Sequence, residues 1–427
     1  MNFKNCRILW VGFFYFLQTL LFGQEENLEE QPPPGVELKT NSLEQDQRQI
    51  AGAETNGPES ERISTIFYIR TVDFEVKGRG YTHSRTFALL RQGDFKAGEQ
   101  ISGKEGLKEY IINKTQLLLN HRVLESVEID YTQGEAEAEG VPIDLLVKVV
   151  DTWNIIALPY PKFDSNSGFE LILKARDYNF LGTMVPLRLD LGYAYKEGEE
   201  QVSPAQHVFK VEIDSDIPFE GFGLNWNINF DHLFSYTLED GDGFISYKNI
   251  TGLSVEFPIK RTSLTVSFEE NFILNEENPV RYKAEYGDFA PFYMSSQLKG
   301  SWKMPLGLRV AQFGELTYTP EVSGKIPYRI GGELEPWRKG PALTLSHRLG
   351  FGQINWIGNY RSGLEASLKN ENTYNFYRQG WENNYGLSVT GHIIAARFLG
   401  VSSRFQFQQW FFDKTFSENR YPDHVQA

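Results

Sequence analysis

From Val185 to Tyr195 the chain alternates in steps of two. Val185, Leu187, Leu189, Leu191, Tyr193 and Tyr195 fall on one face of an extended strand, and Arg188, Asp190, Gly192 and Ala194 on the other. A helix would scatter the same residues around its circumference. An apolar face ending in paired tyrosines, backed by a charged face, suits a strand that crosses lipid with its other side in water. Ser167–Asp177 has the same period, with Phe169, Leu171, Leu173 and Ala175 set against Glu170, Ile172, Lys174 and Arg176. The two segments form a predicted hairpin whose turn is Asp177-Tyr178-Asn179-Phe180-Leu181-Gly182-Thr183.

Upstream of this hairpin, Ile63–Trp153 reads as β-α-α-β-β. The first strand places Tyr68, Val72, Phe74 and Val76 near a core and stops at Gly78-Arg79-Gly80. A short helix around His83–Leu90 follows, with Thr82 as its cap. The next helix opens on a capping box of Ser102 and Glu105 and keeps Leu107, Ile111, Thr115 and Leu118 on one face. Val127, Ile129 and Tyr131 alternate in one closing strand, and Ile143, Leu145, Val147 and Val149 in the other, across the acidic loop Gln133–Gly140.

These two parts together resemble the outer-membrane assembly superfamily of BamA and TamA, whose members join POTRA domains to a β-barrel. The resemblance rests on Trp153, on Pro159 and Pro161 in the approach, and on Asp177, Asn179, Phe180, Leu181 and Gly182 in a D-x-N-F-L-G turn behind a POTRA-like segment. It implies a mainly β fold: one N-terminal POTRA-like domain followed by an antiparallel transmembrane barrel. Taken from the residues alone, a small α/β adaptor stays open as the alternative for the first part and a soluble periplasmic sandwich for the second, with the lipid barrel the favoured reading.

From Ile155 onward no convincing amphipathic helix is predicted. Strand candidates include Phe209–Ile213, Leu224–Phe230, Leu253–Ile259, Leu264–Phe268, Gln297–Trp302, Leu308–Thr319, Leu343–Phe351, Leu387–Phe398 and Ser402–Phe412. Several carry charges or amides on their inward face, as a wet lumen requires and a dry sandwich core does not. The mean hydropathy of −0.40 fits such a barrel, because only alternate residues meet lipid. About 11 or 12 strands are counted in this way. The resemblance implies sixteen and a V-R-G-[FYW] motif in the sixth long loop, which is not found. The expectation is therefore that the chain is the N-terminal part of a longer reading frame. The alternative is a smaller barrel closed by Leu387–Phe398 or Ser402–Phe412 pairing with Phe169–Arg176.

Residues 1–23 read as a secretory signal peptide, with Lys4 and Arg7 ahead of an apolar run from Ile8 to Phe22. Residues 24–62, with Pro32-Pro33-Pro34 and many Glu, Gln and Ser, read as a disordered acidic tether. The domain reading is completed by 63–153 as the POTRA-like unit and 154–427 as the barrel. Cys6 is the only cysteine and precedes the apolar run, so loss of the leader removes disulfide and thiolate chemistry.

A net charge of −14 argues against a nucleic-acid surface. The seven histidines show no ligand spacing, and neither Arg361-Ser362-Gly363 nor Gly78-x-Gly80 completes a catalytic or dinucleotide motif. Glu239-Asp240-Gly241-Asp242-Gly243 reads as a hairpin turn rather than a calcium loop. No enzyme, cofactor or metal is expected. An edge strand of the POTRA-like sheet, Ser126, Val127, Glu128, Ile129, Asp130 and Tyr131, is the expected partner-binding element, by addition of an extended segment. What the resemblance implies is an assembly or translocation factor of the cell outer membrane, with its POTRA domain in the periplasm. Its expected partners are outer-membrane lipid, unfolded outer-membrane or secreted polypeptides, and periplasmic accessory subunits. The other reading is a passive pore or surface receptor with one adaptor domain.

Overall fold

The structure, a computed structural model, describes residues 65–78, 82–164, 168–196, 205–239, 241–275, 278–287, 291–310, 313–335 and 338–412. The leader and tether readings lie outside the described residues.

The first layer is a small α/β domain. Its strands are β1 (Ile66–Gly78), β2 (Gln100–Ser102), β3 (Leu124–Gln133) and β4 (Val141–Asp151), and its helices α1 (Thr86–Gln92) and α2 (Gly103–Leu119). The sheet order is β2-β1-β4-β3, with β1 parallel to β4 and β3 antiparallel to it. Ile143, Leu145, Val147 and Val149 of β4 are fully buried, as their alternation predicts for a central strand. The first strand differs from expectation. Phe67 and Ile69 are buried and Tyr68 is not, because the register with β4 shifts between Ile69 and Thr71. That bulge changes parity, so the core face runs through Phe67 and Ile69 and then through Val72, Phe74 and Val76. The extra residue, Arg70, reaches Asp144 on β4, with Nε 2.9 Å from Oδ1.

Both helix starts also depart from the expected caps. Arg85, not Thr82, precedes α1, and Ser102 precedes α2 without a side-chain cap hydrogen bond, so no capping box forms. The buried face of α2 passes through Leu107, Lys114 and Leu118, with Thr115 only partly covered. Lys114 is tolerated because its ammonium donates to the Asp94 carbonyl and lies 4.8 Å from the Tyr110 ring centroid. Burial pushes its pKa down and pushes that of Tyr110 up.

The second layer is one antiparallel sheet of thirteen strands in chain order. They are β5 (Ile155–Asp164), β6 (Gly168–Asp177), β7 (Leu187–Lys196), β8 (Gln206–Gly221), β9 (Leu224–Glu239), β10 (Asp242–Ile259), β11 (Thr262–Leu274), β12 (Phe292–Arg309), β13 (Glu315–Tyr328), β14 (Ala342–Ile357), β15 (Tyr360–Asn375), β16 (Gly380–Ala396) and β17 (Leu399–Phe412). The expected count was short. Ile155–Asp164, read as a proline-containing approach, is itself a strand, and the segment Leu308–Thr319 divides between the end of β12 at Arg309 and the start of β13 at Glu315. Tyr360–Asn375 was missed altogether because Asn370 and Asn372 interrupt its apolar face. An eight-residue helix, α3 (Pro279–Tyr286), was missed too, although Asn278 accepts a bond from the Val280 N–H and Pro279 occupies its first turn.

Register lines across the sheet sort its two faces. Leu173, Leu191, Val211 and Phe234 lie side by side on one, and Lys174, Asp190 and Glu212 on the other. The apolar face is well exposed, from Leu171 and Phe209 to Leu298, Leu368 and Phe407. The opposite face is ion-paired, as in Lys299 with Glu269 at 2.7 Å. No helix among the described residues is long and apolar enough to cross a membrane, so any crossing falls to the strands.

Among the described residues β5 and β17 do not pair with each other. With thirteen strands in strict alternation the two run in the same direction, which excludes their antiparallel closure. The alternative pairing of Leu387–Phe398 or Ser402–Phe412 with Phe169–Arg176 is not found. Phe169–Arg176 lies in β6 between β5 and β7, and the two later segments lie in β16 and β17, which pair with each other.

Candidate functional site

The D-x-N-F-L-G turn joins β6 to β7 at the end of the sheet that meets the α/β domain. Asp177 Oδ1 accepts from the Asn179 N–H at 3.1 Å, and Phe180–Gly182 form one 3-10 turn. Asn179 is fully buried and works in both directions. Its Nδ2 donates to the Thr82 carbonyl at 3.1 Å and to Ser84 Oγ at 3.0 Å, while its Oδ1 accepts from the Met184 N–H at 2.9 Å.

The chain of bonds continues into the domain. Ser84 Oγ donates to Asp151 Oδ1 at 2.6 Å and its N–H to Asp151 Oδ2 at 2.9 Å; His83 Nδ1 lies 3.3 Å from the same carboxylate. Asp151 ends β4 with no exposure, so this buried carboxyl group is met by two donors of Ser84, with the His83 ring beside it. Gly182 is in the left-handed region at φ +74°, and a Cβ there would stand 2.4 Å from the His83 carbonyl. Its own carbonyl accepts from the Arg85 N–H at 2.9 Å. Met184, two residues on, packs into the α/β core. Phe180 is half-buried and Leu181 exposed. The turn is thus a clasp for the domain, which a hairpin reading does not reveal.

A second clasp lies on β14. Among the described residues this strand has no β13 partner beyond Gly350, so the end of β14 towards Ile357 is not covered by a strand there. The last turn of α2 covers it. Asn120 Oδ1 accepts from the Trp356 N–H at 2.9 Å, Gln116 Nε2 donates to the Trp356 carbonyl at 3.0 Å, and Asn120 Nδ2 donates to Asn355 Oδ1 at 3.0 Å. Two side-chain amides stand in for a strand. The Trp356 ring also takes the guanidinium groups of Arg122 at 4.2 Å and Arg361 at 4.5 Å from its centroid. Because the loop before α1 meets the β6–β7 turn and the last turn of α2 meets the end of β14, the domain contacts the sheet at two separated points.

Ser126, Val127, Glu128, Ile129, Asp130 and Tyr131 lie on β3, an outer strand of the four-stranded sheet. Val127, Ile129 and Tyr131 pack on the core, Glu128 is exposed, and Asp130 pairs with Lys148 at 2.7 Å. One backbone edge of β3 is taken by β4 and the other is unpaired among the described residues. The expected partner-binding strand and the hairpin motif are both in the same fixed body.

On the charged face of the sheet, strands β12–β17 line a hollow of about 280 Å³ with Lys299, Glu321, Lys369, Glu371, Asn384 and Trp410. Mixed charges and amides make it hydrated and leave no apolar slot for a small ligand. Among the described residues no group of three or more His, Asp and Glu side chains is placed to hold a metal.

The chain is similar to BamA and CdiB. Against BamA from Haemophilus ducreyi lacking POTRA domains 1–3, the TM-score is 0.33 and the identity 12%, over 81% of this chain and 72% of that one. CdiB from Acinetobacter baumannii gives 0.33 and 11%, over 81% and 74%, and CdiB from Escherichia coli 0.28 and 10%, over 87% and 97%. No protein-family profile and no curated protein matches the chain.

Proposed function

We propose that this chain is an outer-membrane assembly or translocation factor that receives extended polypeptide segments on its POTRA-like domain. The observation that carries the reading is the edge of β3, unpaired among the described residues, on a domain clasped to one end of a sheet with one apolar and one charged face. A free edge offers a row of backbone donors and acceptors, and an extended client completes them without needing a particular sequence. The apolar face meets lipid and the charged face a watered lumen, so an added segment has a hydrated surface beside it on the way into the bilayer. The charged interior also suits a passive pore, the second reading.

The test is depletion joined to cross-linking. A photoreactive residue at Glu128 of the full chain, in cells, is expected to trap several unrelated polypeptides, and depletion to lower many outer-membrane proteins together. Loss of one solute's uptake, with no adduct at Glu128, would mean a pore instead.

A further inference from the structure

Register sorts Glu270 of β11 onto the apolar side of the large sheet. It stands opposite Thr251 on β10 and Ser296 on β12, and between Phe268 and Phe272 on its own strand. Among the described residues, over the rows that pair β7 through to β12, it is the only Asp, Glu, Lys or Arg on that side. The other charges of those rows, from Asp190 to Lys299, lie on the opposite face. The Glu270 carboxylate is met by two hydroxyls: Tyr328 donates to Oε1 at 2.6 Å, and Ser296 to Oε2 at 2.6 Å. Neither brings a positive charge.

The polar row continues from there. Thr251 Oγ1 donates to Asn249 Oδ1 at 3.3 Å, and His232 Nδ1 on β9 lies 2.9 Å from Asn249 Nδ2 and 2.8 Å from the Tyr247 hydroxyl. From His232 to Tyr328 the strip crosses five strands, about 19 Å at about 4.8 Å per strand. Its surroundings are apolar. Leu253, Phe268 and Leu298, in the next row towards Thr262, are exposed. Beyond Glu270 in the other direction, towards the end of β11 at Leu274, Tyr247, Phe272 and Phe292 form a row of rings with centroids 5.9 and 6.3 Å apart. Such aromatic rows sit at headgroup level, so Glu270 lies on the acyl-chain side of this one.

A carboxylate facing acyl chains is costly, and one that is kept there marks a contact with a group of opposite charge. Glutamine would serve the bonds to Ser296 and Tyr328 equally well. What the charge adds is attraction for a cation, and the strip holds no Lys or Arg to provide one. A phospholipid brings its ammonium together with a phosphate, which the strip has no cation to take, and its headgroup belongs above the aromatic row. A second copy of this chain would bring another carboxylate. The width fits a protein, since a spanning helix is about 10–12 Å across. We infer that the outward strip centred on Glu270 is a lateral docking surface for a different membrane-embedded protein, whose spanning segment turns a Lys or Arg side chain to Glu270 and hydrogen-bonding groups to Asn249 and His232. This rests on the reading of the apolar face as lipid-facing and adds what that face binds.

The experiment uses the full chain in cells with a photoreactive residue placed singly at Thr251, at Phe268 or, as the control, at Leu191, in the native sequence and in Glu270→Gln, Glu270→Asp and Tyr328→Phe. The expected result is one discrete protein adduct at Thr251 and Phe268 and none at Leu191. Glu270→Gln keeps the hydroxyl contacts and loses the charge, so the adduct should fall by about tenfold or more. Glu270→Asp and Tyr328→Phe keep the charge and should retain most of it. The cross-linked segment should carry a Lys or Arg, and changing that residue to Met should lower the adduct as Glu270→Gln does. An adduct unchanged by Glu270→Gln, a cross-linked pair of this chain, lipid adducts alone, or a captured segment without Lys or Arg overturns the inference and leaves the lipid-facing reading standing. Labelling of a cysteine at Leu189 by an aqueous thiol reagent in the native background overturns both. Its sparing in Glu270→Gln shows that the variant is folded and inserted.

Discussion

Asn179 and Ser84 are 95 residues apart in the chain, yet the amide Nδ2 of the one lies 3.0 Å from the hydroxyl of the other. Through that contact the first turn after β6 is tied to the buried Asp151 at the end of β4, so the strand that leaves the α/β domain and the turn that returns to it close a single loop. Asn179→Ala would strand the buried Met184 N–H and leave the half-buried Thr82 carbonyl without its amide partner. The expected cost is about 1–3 kcal/mol. Thermal denaturation of the full chain measures it, and equal melting of variant and native protein would show that the clasp holds nothing. Gly182→Ala should act in the same direction, because its Cβ meets the His83 carbonyl and its φ of +74° disfavours any side chain.

The second clasp gives a prediction that separates docking from folding. Asn120→Ala removes the acceptor of the Trp356 N–H and the donor to Asn355, so in the full chain it should cost about 1–2 kcal/mol. In the excised segment 63–153, which has no β14, the same change should stay within about 0.5 kcal/mol. Leu118→Asp, by contrast, places a carboxylate at a position with no exposure and should cost several kcal/mol in both settings, about the stability of a small domain. Circular dichroism of the excised segment is the measurement. A random-coil spectrum for the unsubstituted segment would refute the independent domain.

What the sequence showed and what it hid divide along physical lines. The alternation of Leu187–Tyr195 and of Ile143–Val149 was legible because one face of each strand is uniform, and a two-residue period leaves no other reading. Parity failed in β1, where the bulge at Arg70 shifts the core face by one residue, since no residue type marks a bulge of that kind. It failed again in β15, where outward-facing Asn370 and Asn372 break the apolar pattern. The strand at Ile155–Asp164 was hidden by its prolines, which are tolerated because they lie on an edge, a fact of position that local sequence does not carry. Lys114 took the place on α2 expected of Thr115, because helix periodicity allows a step of three or four and a lysine can bury its stem. The Asp177–Thr183 turn was legible as a motif. Its task, holding the domain, became visible only when Thr82, Ser84 and Asp151 came beside it.

Acid should loosen the α2 end of the junction. Burial pushes the His121 imidazole down from its ordinary 6.5, so the folded state holds fewer protons than the unfolded state below that value. The linked stability is unchanged well above pH 6.5 and falls as pH drops through it. Asp144 works in a lower window: Arg70 and Thr71 hold its carboxyl at about 2, a contribution present above the usual 3.8 and lost only as pH approaches 2. Of these two groups, only His121 contributes to the slope between pH 7 and 5. Melting temperature against pH for native and His121→Phe protein is the check, and the variant should show the shallower fall. Equal slopes would remove His121 from the account.

The two faces of β7 predict opposite responses at adjacent positions. Leu189 stands in register with Ala175 and Ile213 on the apolar face, and Asp190 in register with Lys174 and Glu212 on the charged one, where it pairs with Arg176. If the sheet crosses a bilayer, Leu189→Arg near the midplane should destabilise by roughly 2–4 kcal/mol. Asp190→Asn should be mild. An amide still accepts from Arg176, whose guanidinium also reaches the carbonyls of Ala175 at 2.8 Å and Leu189 at 3.3 Å, and the hydrated inner face screens the charge left over. Cysteines at the two positions distinguish the faces directly in intact membranes. A water-soluble thiol reagent should label residue 190 and spare residue 189, whereas a reagent carried in lipid should do the reverse. Equal labelling of both by the aqueous reagent would mean that the exposed row from Leu171 to Phe407 faces water, and the transmembrane assignment of the sheet would fall with it.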